Sequence, residues 1–130
     1  MGVVVAEPKQ AASFRNRRVQ KRYPLPADAG AVLRFHHPGL DGPAFTASVR
    51  DVSLSGLSFF LPSEIPGLHV GGIVRGVEAV IAGRGFRGDL LAMHLTPQNF
   101  GGAVCGGLFY PESDEDLITI RLVVRALEQS

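Results

Sequence analysis

The chain of 130 residues has one cysteine, no tryptophan and two tyrosines. Cys105 alone excludes an internal disulfide, and its ordinary role is that of a small buried hydrophobe rather than a reactive thiol. Charged residues make up 19% of the chain, below the usual quarter. No run of about 18 apolar residues occurs, so no membrane-spanning helix is expected. The opening "MGVVVAEPKQ" is too short an apolar patch for a signal peptide and has no leading basic region. Position 6 is Ala6, where a myristoylation signal needs Ser or Thr. These absences together point to a reduced, cytoplasmic protein. His36, His37, His69 and His94 have no metal-ligand spacing, and no Ser–His–Asp set or paired acids stand out, so neither a metal site, a cofactor nor an enzyme is expected.

What is present in quantity is glycine and proline, 16 and 9 residues, against 45% hydrophobic content. Many turn formers and a sizeable apolar fraction predict many short strands around one core. Strands are expected at "AVLRFHH" (31–37), "AFTASVRDVSL" (44–54), "LSFFLP" (57–62), "IVRGVEAVIA" (73–82), "FRGDLLAMHL" (86–95) and "AVCGGLFY" (103–110), with a turn at "GRG". The period then changes. Leu117, Ile120, Val124 and Leu127 recur at helical spacing, with Ile118 and Leu122 beside them. Ser113 is placed as an N-cap with Asp116 three residues on, and Asp114 to Asp116 suit the positive end of the helix dipole. The fold class is therefore all-β. A six-stranded antiparallel, split β-barrel is expected, with a C-terminal α-helix over 113–128. A tail (1–14) and a basic extended linker (15–29) precede the barrel (30–110) in a single domain spanning 15–130.

Charge is unevenly spread. Residues 1–22 carry six basic residues against Glu7, a net of +5, whereas residues 23–130 carry seven arginines against eleven acids, a net of −4. A cationic leader ahead of an acidic body calls for an anionic partner. Within the leader, Arg18 and Arg22 stand four apart with Arg17 just before. A guanidinium matches phosphate oxygens or the O6/N7 edge of guanine with two hydrogen bonds, and it stacks on purines. The plain alternative is a solvated basic tail. At "RDVSLSGLSF" (50–59), Asp51 and Ser53 fall two apart, on one face of a strand about 7 Å from each other. A carboxylate can accept from the two adjacent donors of a guanine edge, and Ser53 adds an adaptable hydroxyl. Gly56 permits a turn or a close backbone approach. The plain alternative here is a polar strand edge and a hairpin.

Together, R-x-x-x-R in a linker and D-x-S-x-x-G at a strand end about thirty residues later resemble the double signature of the PilZ domain family. The resemblance runs from Arg17 to the C-terminus. It includes "LSFFLP" after the second motif and the closing "CGGLFYPESDEDLITIRLVVRALE". It implies binding of cyclic di-GMP, a bacterial second messenger with two guanines and two phosphates. Arg18 and Arg22 would grip phosphate and guanine, Asp51 and Ser53 would hydrogen-bond a guanine, and Gly56 would let the base approach. Arg17 precedes the first motif arginine, which favours a stacked pair of ligands. The expected function is a receptor whose linker changes conformation on binding and signals to an unidentified protein partner. Two alternatives stay open. One is an adaptor of the same fold that binds no ligand. The other is a small nucleic-acid-binding barrel, disfavoured because no aromatic pair lies among the basic residues.

Overall fold

The computed structural model describes residues 21–36, 44–63, 65–99 and 101–129. Arg17, Arg18 and the 1–14 tail lie outside them. Among the described residues are seven strands and one helix: β1 (Tyr23–Pro24), β2 (Val32–Phe35), β3 (Phe45–Val52), β4 (Gly56–Leu61), β5 (Ile73–Ile81), β6 (Arg84–Pro97), β7 (Ala103–Pro111) and α1 (Asp114–Glu128), with a 3-10 turn at Ala27–Ala29. The order across the sheet is β1-β3-β2-β5-β6-β7-β4, and a further β3–β4 pairing joins its ends. Every pairing is antiparallel. Strands β2 to β7 are thus the expected six-stranded closed barrel, and β1 is a two-residue strip added to β3.

Alternation makes the barrel. Leu33 and Phe35, Val49 and Val52, Leu57 and Phe59, Val77 and Ile81, and Leu90 point inward and are fully or nearly fully buried. The Phe35 ring meets Phe45 and Phe59 at centroid distances of 5.4 and 5.9 Å. Cys105 lies in this core, where burial pushes its thiol up to about 11. It stays protonated at neutral pH, as its reading as a buried hydrophobe requires.

The first differences from expectation are at turns. The β5–β6 hairpin turns on Ala82 and Gly83, not on "GRG". Both turn residues have positive φ, 54° and 75°. A two-residue loop of this hand matches the twist of the flanking strands, so Arg84 and Gly85 are already in β6. The linker is extended at β1 but turns at Ala27–Ala29. Tyr23 and Pro24 pair with Val52 and Asp51, and the Leu25 N–H donates to Arg50 O at 2.9 Å. Pro24 is tolerated because β1 is an edge that needs no further ladder bond.

Helix α1 begins as the capping pattern predicts. Ser113 Oγ accepts from the Asp116 N–H at 3.2 Å and donates to Asp116 Oδ2 at 2.6 Å. Asp116 Oδ1 also accepts from the Arg87 N–H at 2.9 Å, which fixes the start of the helix to β6. Ile120, Val123 and Val124 are buried, while Ile118 and Leu122 face outward. Ile120 reaches the β3–β4 hairpin, sharing a small void with Val52, Ser53 and Gly56. The helix therefore covers the end of the barrel that carries D-x-S-x-x-G. It is not long and apolar enough to cross a membrane.

Candidate functional site

The two sequence motifs meet. Because β1 runs antiparallel to the end of β3, Arg22 emerges beside Asp51. Its Nε and Nη2 both donate to Asp51 Oδ1, at 3.1 and 2.8 Å. The other carboxylate oxygen lies 3.8 Å from Arg50 Nη1. The Asp51 side chain is only 13% exposed, whereas that of Arg22 is 49% exposed, so the carboxylate is held and the guanidinium has room to turn. The adjacent Tyr23 hydroxyl donates to Glu128 Oε2 at 3.1 Å, which links the basic segment to the last turn of α1. The Tyr23 phenol is held above its ordinary value by desolvation, then by the Glu128 hydrogen bond and charge.

Asp51 owes its orientation to a bulge. Ala47 and Val49 point inward, so simple alternation would send Asp51 inward too. The β3–β4 register slips between Val49 and Asp51, leaving Arg50 as the extra residue. After the slip Val52 takes the inward position and Asp51 faces out, a reorientation typical of β-bulges.

Ser53 and Gly56 do not have the environment expected of them. Strand β3 ends at Val52, so Ser53 is in the turn and shares no strand face with Asp51. It is 2% exposed. Its Oγ accepts from the N–H groups of Ser55 and Gly56 at 3.3 and 3.2 Å, and its N–H donates to Gly56 O at 2.8 Å. The hydroxyl is occupied in closing the hairpin, as serine side chains often are in turns. Gly56 is glycine for a packing reason. A Cβ there would collide with the carbonyl oxygen of Gly107 on β7 and stand 3.1 Å from its carbon. The residue is one of those over which β4 and β7 close tightly. On the side where a Cβ would stand it leaves no room.

Sequence reasoning missed several residues beside Asp51. Asp51 pairs with Ser58 on β4, Ser58 with Gly106 on β7, and Gly106 with His94 on β6. A surface hollow of about 290 Å³ runs along this row, lined among others by Arg22, Arg50, Asp51, Ser58, His94 and Gly106. Ser58 was legible only as one polar residue in an apolar run. Nothing local marks His94 or Gly106, because only register across four strands brings them to Asp51. Among the described residues no group of three His, Cys, Asp or Glu is placed to hold a metal ion.

Comparison with solved structures finds this architecture in PilZ domains. The chain is similar to the K. pneumonia MrkH–c-di-GMP complex with a TM-score of 0.73 and 17% identity, over 87% of this chain and 52% of that one. It is similar to the PilZ domain of YcgR from Escherichia coli with c-di-GMP, with a TM-score of 0.71 and 15% identity, over 87% and 92%. The Bacillus subtilis inhibitor of motility MotI follows the same path with a TM-score of 0.63 and 10% identity, over 88% and 53%. The chain thus spans about half the length of the MrkH and MotI chains and most of the YcgR domain. No family model and no curated protein matches it. At these identities the likeness shows the fold: a PilZ-like barrel with its C-terminal helix.

Proposed function

We propose that the protein is a cyclic di-GMP receptor that signals through its basic linker. One observation carries the reading: strand pairing brings the second arginine of R-x-x-x-R into contact with the aspartate of D-x-S-x-x-G, at 2.8 Å. Two motifs 29 residues apart would have no reason to meet if the leader were merely a solvated tail. The presence of c-di-GMP in the MrkH and YcgR structures of the same fold supports the same ligand.

The chemistry follows from the ion pair. Ligand-free, Arg22 spends its fork on Asp51. A cyclic dinucleotide offers both partners something better. Its phosphates and guanine O6/N7 edge accept from Arg22, while guanine N1–H and N2–H₂ donate to the released carboxylate. Arg17 and Arg18, which lie outside the described residues, join Arg22 on the ligand in this proposal, and Arg17 favours a stacked ligand pair. Ser53 and Gly56 contribute by holding the hairpin that presents Asp51. Movement of Arg22 passes to β1, and through Tyr23 and Glu128 to α1, so a protein partner reading that end of the barrel senses occupancy. Activity here is binding and transmission, with no catalytic residue assigned.

The test is calorimetric titration with cyclic di-GMP. The unaltered protein binds; Arg22→Ala weakens binding by about 2–3 kcal/mol, the scale of charge-assisted hydrogen bonds lost together. Asp51→Ala erodes the preference for guanine over adenine dinucleotides. Unchanged affinity in both variants removes the assigned roles, and no binding by the unaltered protein refutes the function.

A further inference from the structure

An apolar hollow of about 310 Å³ opens between α1 and the tip of the β3–β4 hairpin, lined by Leu54, Arg121, Leu122, Val124, Arg125 and Glu128. Leu54 and Leu122 are 48% and 39% exposed there, whereas Val124 is buried. Ile118, one helical turn before Leu122, is also exposed and extends the apolar surface. Single exposed leucines are ordinary, but here two separate elements bring theirs to one hollow. Neither can withdraw. Ser53 Oγ accepts from the N–H groups of Ser55 and Gly56, so Leu54 sits on a braced turn. Ile120 and Val123 are buried and hold the other face of α1 in place.

The leader reaches the described part of the chain at this hollow. Lys21 is its first described residue, and two residues on the Tyr23 hydroxyl donates to Glu128 Oε2 at 3.1 Å. Glu128 is one of the lining residues. Residues 1–20 therefore start from its rim. Between them and the described chain the reach is ample. The step from Glu7 to Lys21 spans up to about 50 Å when extended, whereas a 15-residue helix such as α1 is about 22 Å long. The chemistry is selective. The longest apolar run in residues 1–20 is Val3–Ala6, and the acid that follows it, Glu7, is the leader's only one. On the other side, Arg121 and Arg125 are exposed, and neither guanidinium has a hydrogen-bond or ion-pair partner among the described residues. The same two charges repel Lys9, Arg15, Arg17 and Arg18, so only the first residues of the leader suit this hollow. A larger apolar hollow, lined by Leu61, Ile65, Leu68, Leu95 and Ala103 among others, has no charged residue among its described lining and offers Glu7 nothing.

We infer that this hollow is the docking site of the chain's own N-terminal segment, with Val3 and Val5 seated between Leu54 and Leu122 and Glu7 paired with Arg121 and Arg125. β-branched residues favour an extended backbone, and so does the position before a proline, which Glu7 occupies ahead of Pro8. In an extended segment residues 3, 5 and 7 share one face, so two valines and the acid meet the hollow together. Because the segment is tethered, it competes at high local concentration with any other occupant of this surface. The docking does not depend on the ligand proposed above. Under that proposal it has a consequence: the tail covers apolar surface at the end of the barrel a partner protein reads, and the partner must displace it.

Methyl NMR of the full chain, without ligand, tests this. In a variant carrying Val3→Asp and Val5→Asp, the methyl resonances of Leu54 and Leu122 move towards the positions of solvent-exposed leucines. Those of Leu68 and Leu95, in the other hollow, stay where they are. The buried methyls of Leu33 and Leu57 report that the barrel is intact. Glu7→Arg moves the Leu54 and Leu122 resonances in the same direction, and adding Arg121→Glu and Arg125→Glu returns them towards the parent positions. The parent spectrum is the same at low and high protein concentration, as an intramolecular contact requires. Unmoved Leu54 and Leu122 methyls in the valine variant overturn the inference. So does movement of Leu68 and Leu95 instead, which would place the tail at the other hollow. Parent resonances that change on dilution would make the occupant a second copy of the chain, and a charge exchange that restores nothing would remove Glu7 from the contact. None of these outcomes bears on whether cyclic di-GMP binds, so the proposed function is judged separately by its own titration.

Discussion

Gly56→Ala separates two accounts of the same glycine. If Gly56 exists to admit a base, alanine costs affinity and leaves the fold alone. The geometry assigns it to packing instead. The new Cβ would fall inside 3.0 Å of the Gly107 carbonyl oxygen, 3.1 Å from its carbon and 3.4 Å from Leu108 Cα. All three are backbone atoms of β7 within a closed barrel, and no side chain can rotate away. Relief requires β4 to move from β7, and the Gly56–Leu108 pair is flanked by the Phe109 N–H to Ser55 O bond at 2.9 Å. Overpacking of a closed core costs about 1–3 kcal/mol. Weakening one ladder hydrogen bond adds about 1 kcal/mol. The expected loss is therefore about 3 kcal/mol, against a total stability of about 5–15 kcal/mol for a domain. A domain of this size loses roughly 4 °C of melting temperature per kcal/mol, so a drop of about 12 °C follows. Thermal and urea unfolding by circular dichroism, without ligand, measure it. A variant that unfolds within about 0.5 kcal/mol of the parent but no longer binds cyclic di-GMP would refute the packing account.

The other expectations are briefer. Arg22→Ala changes binding far more than stability: its pair with Asp51 is half-exposed, so unfolding should shift by about 1 kcal/mol or less while calorimetry registers the larger loss. Ala82→Asn should stabilise the protein by about 1 kcal/mol, because Ala82 holds φ 54° in a hairpin turn where Asn-Gly is the favoured pair; an unchanged or lower urea midpoint counts against that turn. Cys105 is raised from 9.0 to about 11 in the folded chain, so the unfolded thiol ionises first and stability falls as pH rises from about 9 to about 11. That part of the decline, about 2–3 kcal/mol, is absent from Cys105→Ala, and parallel pH profiles for the two proteins would show that the thiol contributes nothing.

Much of the architecture was legible in the residues because its causes are local. Alternation at Ala47–Val49 and Leu57–Phe59–Leu61 names strands whatever they pair with, and Ser113 with Asp116 names a helix start. So were Arg22 and Asp51 as site candidates, since a guanidinium and a carboxylate declare their chemistry without coordinates. The errors came where one residue breaks a period. Counting by twos put Asp51 and Ser53 on one face, but the strand stops at Val52 and the hydroxyl is consumed in the turn.

What the sequence by itself determined is the set of elements and the chemistry available to them: short inward-facing strands, a capped helix, a cationic leader and an acid. Only the tertiary structure decided which of these stand together. The slips at Arg50 and Met93, the closing of β3 on β4, and the row from Asp51 through Ser58 and Gly106 to His94 depend on register between strands up to some fifty residues apart in the chain. Register is a property of pairs, fixed when a whole barrel buries its apolar faces at once, and no window along one chain contains it.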